Sequence, residues 1–303
     1  MTESQVAVDL TASFGTLRRA AFPDRLEAAA LAGFAAIGLT VTEYAALLGQ
    51  GWTDADILRI LESFGLRIGE AELIVGFWAS PGPANVPERP GLVYADPANE
   101  ALILRMADAL GLPCVQAVGT FDDRSVGPEV ADAFGALCDR AAPHGLRVAL
   151  EFVPYTSIPD LSVASGVVSA AGRANGGLCI DSWHFFRGGG SVADLANVDP
   201  ASTFMIQVND GPLIPTDENR MNDAVSNRRC PGEGDFDLMG FLGGLWAAGV
   251  NVPLSVEVFS TELERSPTRE AARRAASGTR AVVLAAHLAR VAARSSHPLT
   301  ATK

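Results

Sequence analysis

The chain has 303 residues, 48% hydrophobic and 19% charged, which supplies enough apolar surface for a large core and too little charge for a disordered chain. Its 35 acidic and 23 basic residues give a formal net charge of -12, so the summed field repels phosphate backbones and anionic membranes and excludes nucleic acid as an expected partner. Residues 1–6 lack the basic and apolar regions of a signal peptide, and no apolar run approaches the roughly 18 residues of a membrane span. Cys114, Cys138, Cys179 and Cys230 show no CxxC spacing, so a soluble, cytoplasmic protein without a disulfide framework or zinc knuckle is expected.

Short β-rich apolar runs alternate along the chain with longer segments of helical period. A strand over 6–10 leads to a helix over 23–33, where Leu26, Ala29, Ala30 and Phe34 recur at helical spacing. A second strand over 37–41 precedes a helix over 53–64 that Thr53 caps, with Asp54 and Asp56 in its first turn. The third strand spans 66–76. The Pro-rich stretch 80–90 then reads as a long loop able to serve as a lid.

A helix over 96–110, a strand over 114–119, a helix over 127–142 and strands over 147–153, 177–181 and 204–209 continue the alternation. The longest connection, 210–235, carries Arg220, Arg228, Arg229 and the turn-rich Pro231-Gly232-Glu233-Gly234-Asp235. A helix over 236–248, a strand over 254–259 and a long helix over 267–292 complete eight βα units. The expected fold is a single α/β domain, a (β/α)8 TIM barrel over 1–294, with 295–303 a flexible tail.

The chemistry concentrates at the C-terminal ends of the last four strands, in Leu150-Glu151, Ile180-Asp181, Ile206-Gln207 and Val256-Glu257. Core strands tolerate such residues only when desolvation is compensated, and three carboxylates converging on a barrel axis repel one another without a cation among them. Glu151, Asp181, Gln207 and Glu257 are therefore expected to bind one divalent ion. Their hard oxygen donors favour Mn2+, Mg2+ or Co2+, with Zn2+ possible.

His184, three residues after Asp181, is the expected acid/base, and Glu151 and Glu257 join it as catalytic candidates. Glu72, Gln116 and Asn209 fall at the same barrel end and are substrate-binding candidates, as are Arg228 and Arg229, whose guanidinium groups suit an anionic substituent. Asp210 also falls at this end.

The segments Leu150-Glu151-Phe152, Ile180-Asp181-Ser182-Trp183-His184, Gln207-Val208-Asn209-Asp210, Pro231-Gly232-Glu233-Gly234-Asp235 and Ser255-Val256-Glu257 resemble the xylose-isomerase-like sugar phosphate isomerase/epimerase superfamily over essentially the whole chain. The resemblance implies one metal held by Glu151, Asp181, Gln207 and Glu257, with His184 contacting substrate. Many sugar epimerases of the group carry histidine where this chain has Gln207. That departure, the arginine-bearing segment before Pro231 and the strand ending in Glu257 resemble the 3-dehydroshikimate dehydratase branch instead.

The implied activity is metal-dependent proton abstraction beside the carbonyl of a small polyhydroxylated keto compound, with a dehydratase (a lyase) as the leading expectation. A sugar or sugar phosphate isomerase or epimerase is the first alternative, and a non-catalytic barrel subunit of a hetero-oligomeric enzyme the second. A small molecule is the expected partner, with a homo-oligomer possible.

Overall fold

The computed structural model describes residues 8–87, 89, 91–122 and 124–295. Eight parallel strands close into one barrel: β1 (Leu10–Ala12), β2 (Ala36–Thr40), β3 (Arg67–Val75), β4 (Cys114–Val118), β5 (Arg147–Glu151), β6 (Gly176–Asp181), β7 (Thr203–Val208) and β8 (Leu254–Val256). Each pairs with its sequence neighbours, and β8 closes the ring on β1 through Leu254↔Leu10 and Val256↔Ala12. The strands are buried along nearly their whole length because helices cover the outside while side chains fill the inside. The expected (β/α)8 barrel is thus the observed fold.

Several helices begin where the sequence supplies a side-chain oxygen for their free N–H groups. Thr53 and Asp56 form a reciprocal capping box on α3 (Asp54–Ser63), and Asp96 and Asp160 cap α4 (Pro97–Leu110) and α6 (Leu161–Ala171). The last helix, Thr268–Ser295, buries Ala271, Ala272, Ala275 and Ala276, and packs against the helices Phe22–Leu31 and Leu238–Ala247. Small side chains on that stripe let the backbones approach closely.

Several boundaries differ from expectation. The first strand is Leu10–Ala12 rather than 6–10, and residues 6 and 7 lie outside the described residues. A helix absent from the expectation, Val41–Gly49, starts directly after β2, with Thr40 accepting from Glu43 N. The strands expected over 147–153 and 254–259 stop at Glu151 and Val256, because the chain turns at the barrel mouth once its polar side chains arrive. The tail expected over 295–303 lies outside the described residues beyond Ser295. Among the described residues no helix is long and apolar enough to cross a membrane.

Two connections rise over the mouth. Between β3 and α4 the pairs Gly82–Pro83 and Val93–Tyr94 form a small antiparallel ladder that folds the Pro-rich loop back towards the barrel. After β7, the helix Arg220–Ser226 leads into Arg228, while Asp210 accepts hydrogen bonds from the N–H groups of Gly211, Gly232 and Phe236. Gly234 makes that clamp possible, since a Cβ there would stand 2.3 Å from the Asp210 carboxylate. Asp210 therefore pins the glycine-rich turn instead of facing the mouth.

Candidate active site

Asp181 ends β6 and begins the next helix, Ser182–Arg187. Its Oδ1 accepts from Trp183 N at 2.6 Å and His184 N at 3.2 Å, the N-cap arrangement that fixes the helix start. The Asp-Ser-Trp-His spacing thereby sets His184 on the first turn beside its own capping residue. Register carries the neighbours in: Asp181 pairs with Gln207 on β7, Gln207 with Ser255 on β8, and Glu151 on β5 with Cys179 on β6. Glu257 follows β8 directly, its N–H donating to the Val208 carbonyl at 3.2 Å.

Arg228 crosses this group from the loop after β7. Its Nη1 donates at 2.8 Å to Asp181 Oδ2 and at 2.8 Å to Glu257 Oε2, while Nε donates to the Ala224 carbonyl. The guanidinium also lies over the Phe259 and Trp183 rings, with centroid distances of 5.1 and 5.7 Å. Asn209 Nδ2 reaches both Asp181 oxygens at 3.1–3.2 Å, and Gln207 Nε2 donates to Glu257 Oε1 at 2.8 Å. Ser13 Oγ is 3.1 Å from both Glu72 and Glu257, and its single proton serves only one of them. A protonated carboxyl must supply the other hydrogen bond.

All these groups are buried, and their charges divide unequally. Burial, then the charge of Asp181, pushes the Glu151 carboxyl well above the usual carboxylate range. Burial likewise lifts Glu257 well above that range despite Arg228, with Glu72 and Asp181 adding to the rise. For Asp181 burial pulls upward too, but Arg228, His184, the Asn209 amide and a backbone N–H outweigh it and hold the group low. The two carboxylates sharing one guanidinium thus separate because Asp181 alone has these additional partners. Burial draws His184 down to about 3, against Asp181 and with Arg228, so the imidazole is neutral near pH 7. Its Nε2 lies 3.5 Å from Glu151 Oε1.

Glu151, Asp181 and His184 offer ligand atoms that all lie within 4.8 Å of one another. Oxygen and imidazole donors in this number suit a divalent cation. The charge balance agrees: Glu72, Glu151, Asp181 and Glu257 meet Arg228 as the fully buried cation of the group, and among the described residues the His184 Nδ1 atom has no hydrogen-bond partner. The residues fit a metal. Gln207 and Glu257, expected in the same ligand set, are bonded to each other in this structure, and Glu257 also to Arg228.

A narrow cavity of about 60 Å³ opens onto the group, and Glu72, Gln116, Tyr155, Arg228 and Glu257 are among the residues lining it. A roomier cavity of about 500 Å³ lies behind His184, bordered by Asp160, Ser165 and Asp194, but few charged groups converge there. Chemistry, not size, identifies the first as the candidate site.

Of the expected substrate-binding residues, Glu72 and Gln116 line the cavity, with Gln116 Nε2 turned towards Met205 Sδ at 3.4 Å. Asn209 spends its amide on Asp181, and Arg228 spends Nη1 on Asp181 and Glu257 while its Nη2 faces His184 Nε2 at 3.5 Å. Arg229 is not brought to the site: its side chain is exposed and Nη1 donates to the Glu233 carbonyl at 3.3 Å, because the backbone pairing Asp210↔Arg229 turns it outward. Sequence reasoning missed Ser13, Glu70, Arg89 and Tyr155. Glu70 was detectable as a carboxylate two residues before Glu72 on one strand, hence on the same inward face.

Comparison with known proteins agrees with this fold. The family described as xylose isomerase-like TIM barrel matches residues 26–281. An inosose isomerase of Bacillus velezensis is 33% identical over 185 residues, 57% of this chain and 63% of the relative. A 3-dehydroshikimate dehydratase of Pseudomonas aeruginosa is 34% identical over 165 residues, 54% of this chain but 23% of the relative. The chain thus spans less than two thirds of either. Among solved structures, the IolI protein with a bound zinc atom has a TM-score of 0.78 at 22% identity, covering 91% of this chain and 98% of that one. The probable 3-dehydroshikimate dehydratase AsbF of Bacillus anthracis has 0.67 at 15%, covering 89% and 97%.

Proposed function

Because the chain belongs to the xylose isomerase-like TIM barrel family, we propose that it is a divalent-metal-dependent enzyme that removes a proton beside the carbonyl of a small polyhydroxylated keto compound. In this reading Glu151, Asp181, Gln207 and Glu257 would hold the ion and His184 is the acid/base. When bound, the ion would draw electron density from substrate oxygen. The leading reaction is dehydration of a 3-dehydroshikimate-type substrate.

The observation that carries the reading is the convergence of Glu151, Asp181 and His184, whose ligand atoms all lie within 4.8 Å of one another beside the cavity. His184 takes the proton from the carbon next to the carbonyl and returns it to the departing β-hydroxyl, which leaves as water. Gln207, neutral at the third strand end, supports the dehydratase over a sugar epimerase on the resemblance already described.

The second reading is isomerisation of a cyclic polyhydroxy ketone. It is favoured by inosose isomerases that align over 52–66% of their own lengths, against 23–24% for the dehydratases. Incubating metal-loaded protein with 3-dehydroshikimate separates the two. Dehydration generates an aromatic ultraviolet chromophore, whereas a silent trace together with isomerisation of an inosose would reject the leading reaction in favour of the second. Protein that purifies without stoichiometric metal, and gains no activity from Mn2+, Co2+ or Zn2+, would remove the metal requirement.

A further inference from the structure

The cavity contains two arginines in opposite circumstances. Arg228 is buried and committed to two carboxylates and a backbone carbonyl. Arg89, in the Pro-rich loop above, lines the same cavity from the other side, is half-buried, and makes no side-chain hydrogen bond or ion pair among the described residues. Its charge is felt below, where it opposes the upward pull of burial on Glu72. Backbone hydrogen bonds fix its place: Arg89 N donates to the Val86 carbonyl, and Leu92 N to that of Arg89.

We propose that Arg89 is the residue that selects an anionic substrate, its guanidinium receiving a carboxylate on the ring of the keto compound. This rests on the proposed reading and sharpens it towards an acidic substrate. An anion entering a mouth lined by Glu72, Glu151 and Glu257 meets acceptor oxygens and needs a donor of its own. Arg228 has its Nη1 held by Asp181 and Glu257 at 2.8 Å each and its Nη2 3.5 Å from His184 Nε2. Among the described residues Arg89 has its donors uncommitted, and a planar fork of N–H groups matches a carboxylate in two parallel hydrogen bonds. The narrow floor holds the reacting carbonyl while the loop above reads the charge. Loop and floor therefore divide specificity from chemistry.

The test compares two ligands of the same ring, 3,4-dihydroxybenzoate and its neutral amide 3,4-dihydroxybenzamide, by titration calorimetry on metal-loaded protein. The parent is expected to bind the carboxylate about 10- to 100-fold more tightly than the amide. In Arg89→Gln that preference falls to roughly threefold or less with the amide affinity unchanged, and Arg89→Lys retains much of it. Equal weakening of both ligands in Arg89→Gln would make Arg89 a structural support for the loop and overturn the proposal. So would a parent without preference, or a preference that survives the substitution. Binding needs no turnover, so an Arg89-dependent preference in a protein that leaves 3-dehydroshikimate unchanged would keep this proposal while the dehydratase reading fell.

Discussion

The floor and the roof of the barrel mouth are built on opposite terms. At the floor, Asp181 has Arg228, Asn209 and two backbone N–H groups, Glu257 has Arg228 and Gln207, and each strand end is locked to its neighbour by register. At the roof, the loop carrying Arg89 is held by a two-residue ladder and a few backbone hydrogen bonds. Saturated polar networks are rigid and costly to damage, whereas sparsely bonded loops change at small cost. Substitutions at the floor should therefore reduce stability and activity together, and substitutions at the roof should alter ligand preference with little loss of stability.

The largest effect is expected for Asp181→Asn. It removes the charge that opposes Arg228 and disturbs the cap that positions His184, so turnover should fall about 10³-fold or more. Leaving a buried guanidinium with one carboxylate partner costs about 3 kcal/mol, a drop of roughly 6 to 12 °C in Tm for a chain of this size. Thermal unfolding within 1 °C of the parent would contradict the saturated floor.

A smaller effect concerns Glu70, which lies beneath the floor and accepts from Ser255 Oγ at 2.7 Å. Burial, opposed by that hydrogen bond and aided by Glu72, raises its pKa from 4.5 to about 8. The folded chain keeps a proton that the unfolded chain releases near 4.5, so its contribution is complete below that pH and is lost as pH rises through about 8. Glu70→Gln, which cannot ionise, should gain a few degrees in Tm relative to the parent between pH 5 and 9, of order 2 to 4 °C. On the acid side the sign reverses for His184: its depressed pKa means that stability is lost as pH falls from 6.5 towards about 3. A parent and a Glu70→Gln variant with parallel pH–Tm curves would refute the first of these.

The smallest effect is expected at Arg229, which belongs to neither floor nor roof. Arg229→Ala should change stability by less than about 0.5 kcal/mol and leave kcat/KM within roughly twofold, because its side chain meets solvent and one carbonyl. A steady-state comparison with the parent measures it, and a tenfold loss would return Arg229 to the site.

The barrel itself was legible in the sequence because strand and helix periods alternate without ambiguity, and the four polar strand ends stand out as residues that a buried strand does not otherwise hold. Asp181 and His184 could be paired from spacing alone, since a capping aspartate and a residue three positions later share one helical turn. The helix Val41–Gly49 was not legible, because its Val-Thr start reads as strand.

What the sequence by itself determined is the fold and the identity of the polar ring, both consequences of local periodicity and desolvation. Which arginine faces which charge was decided only in three dimensions. Arg228 and Arg229 are adjacent in sequence, yet the pairing of Asp210 with Arg229 sends one side chain to solvent and the other between Asp181 and Glu257. Arg89 enters the cavity across more than a hundred residues from Arg228 because its loop folds back over the mouth. Long-range register and loop return carry no signature in a local window of sequence, and they set the charge balance on which the proposed chemistry depends.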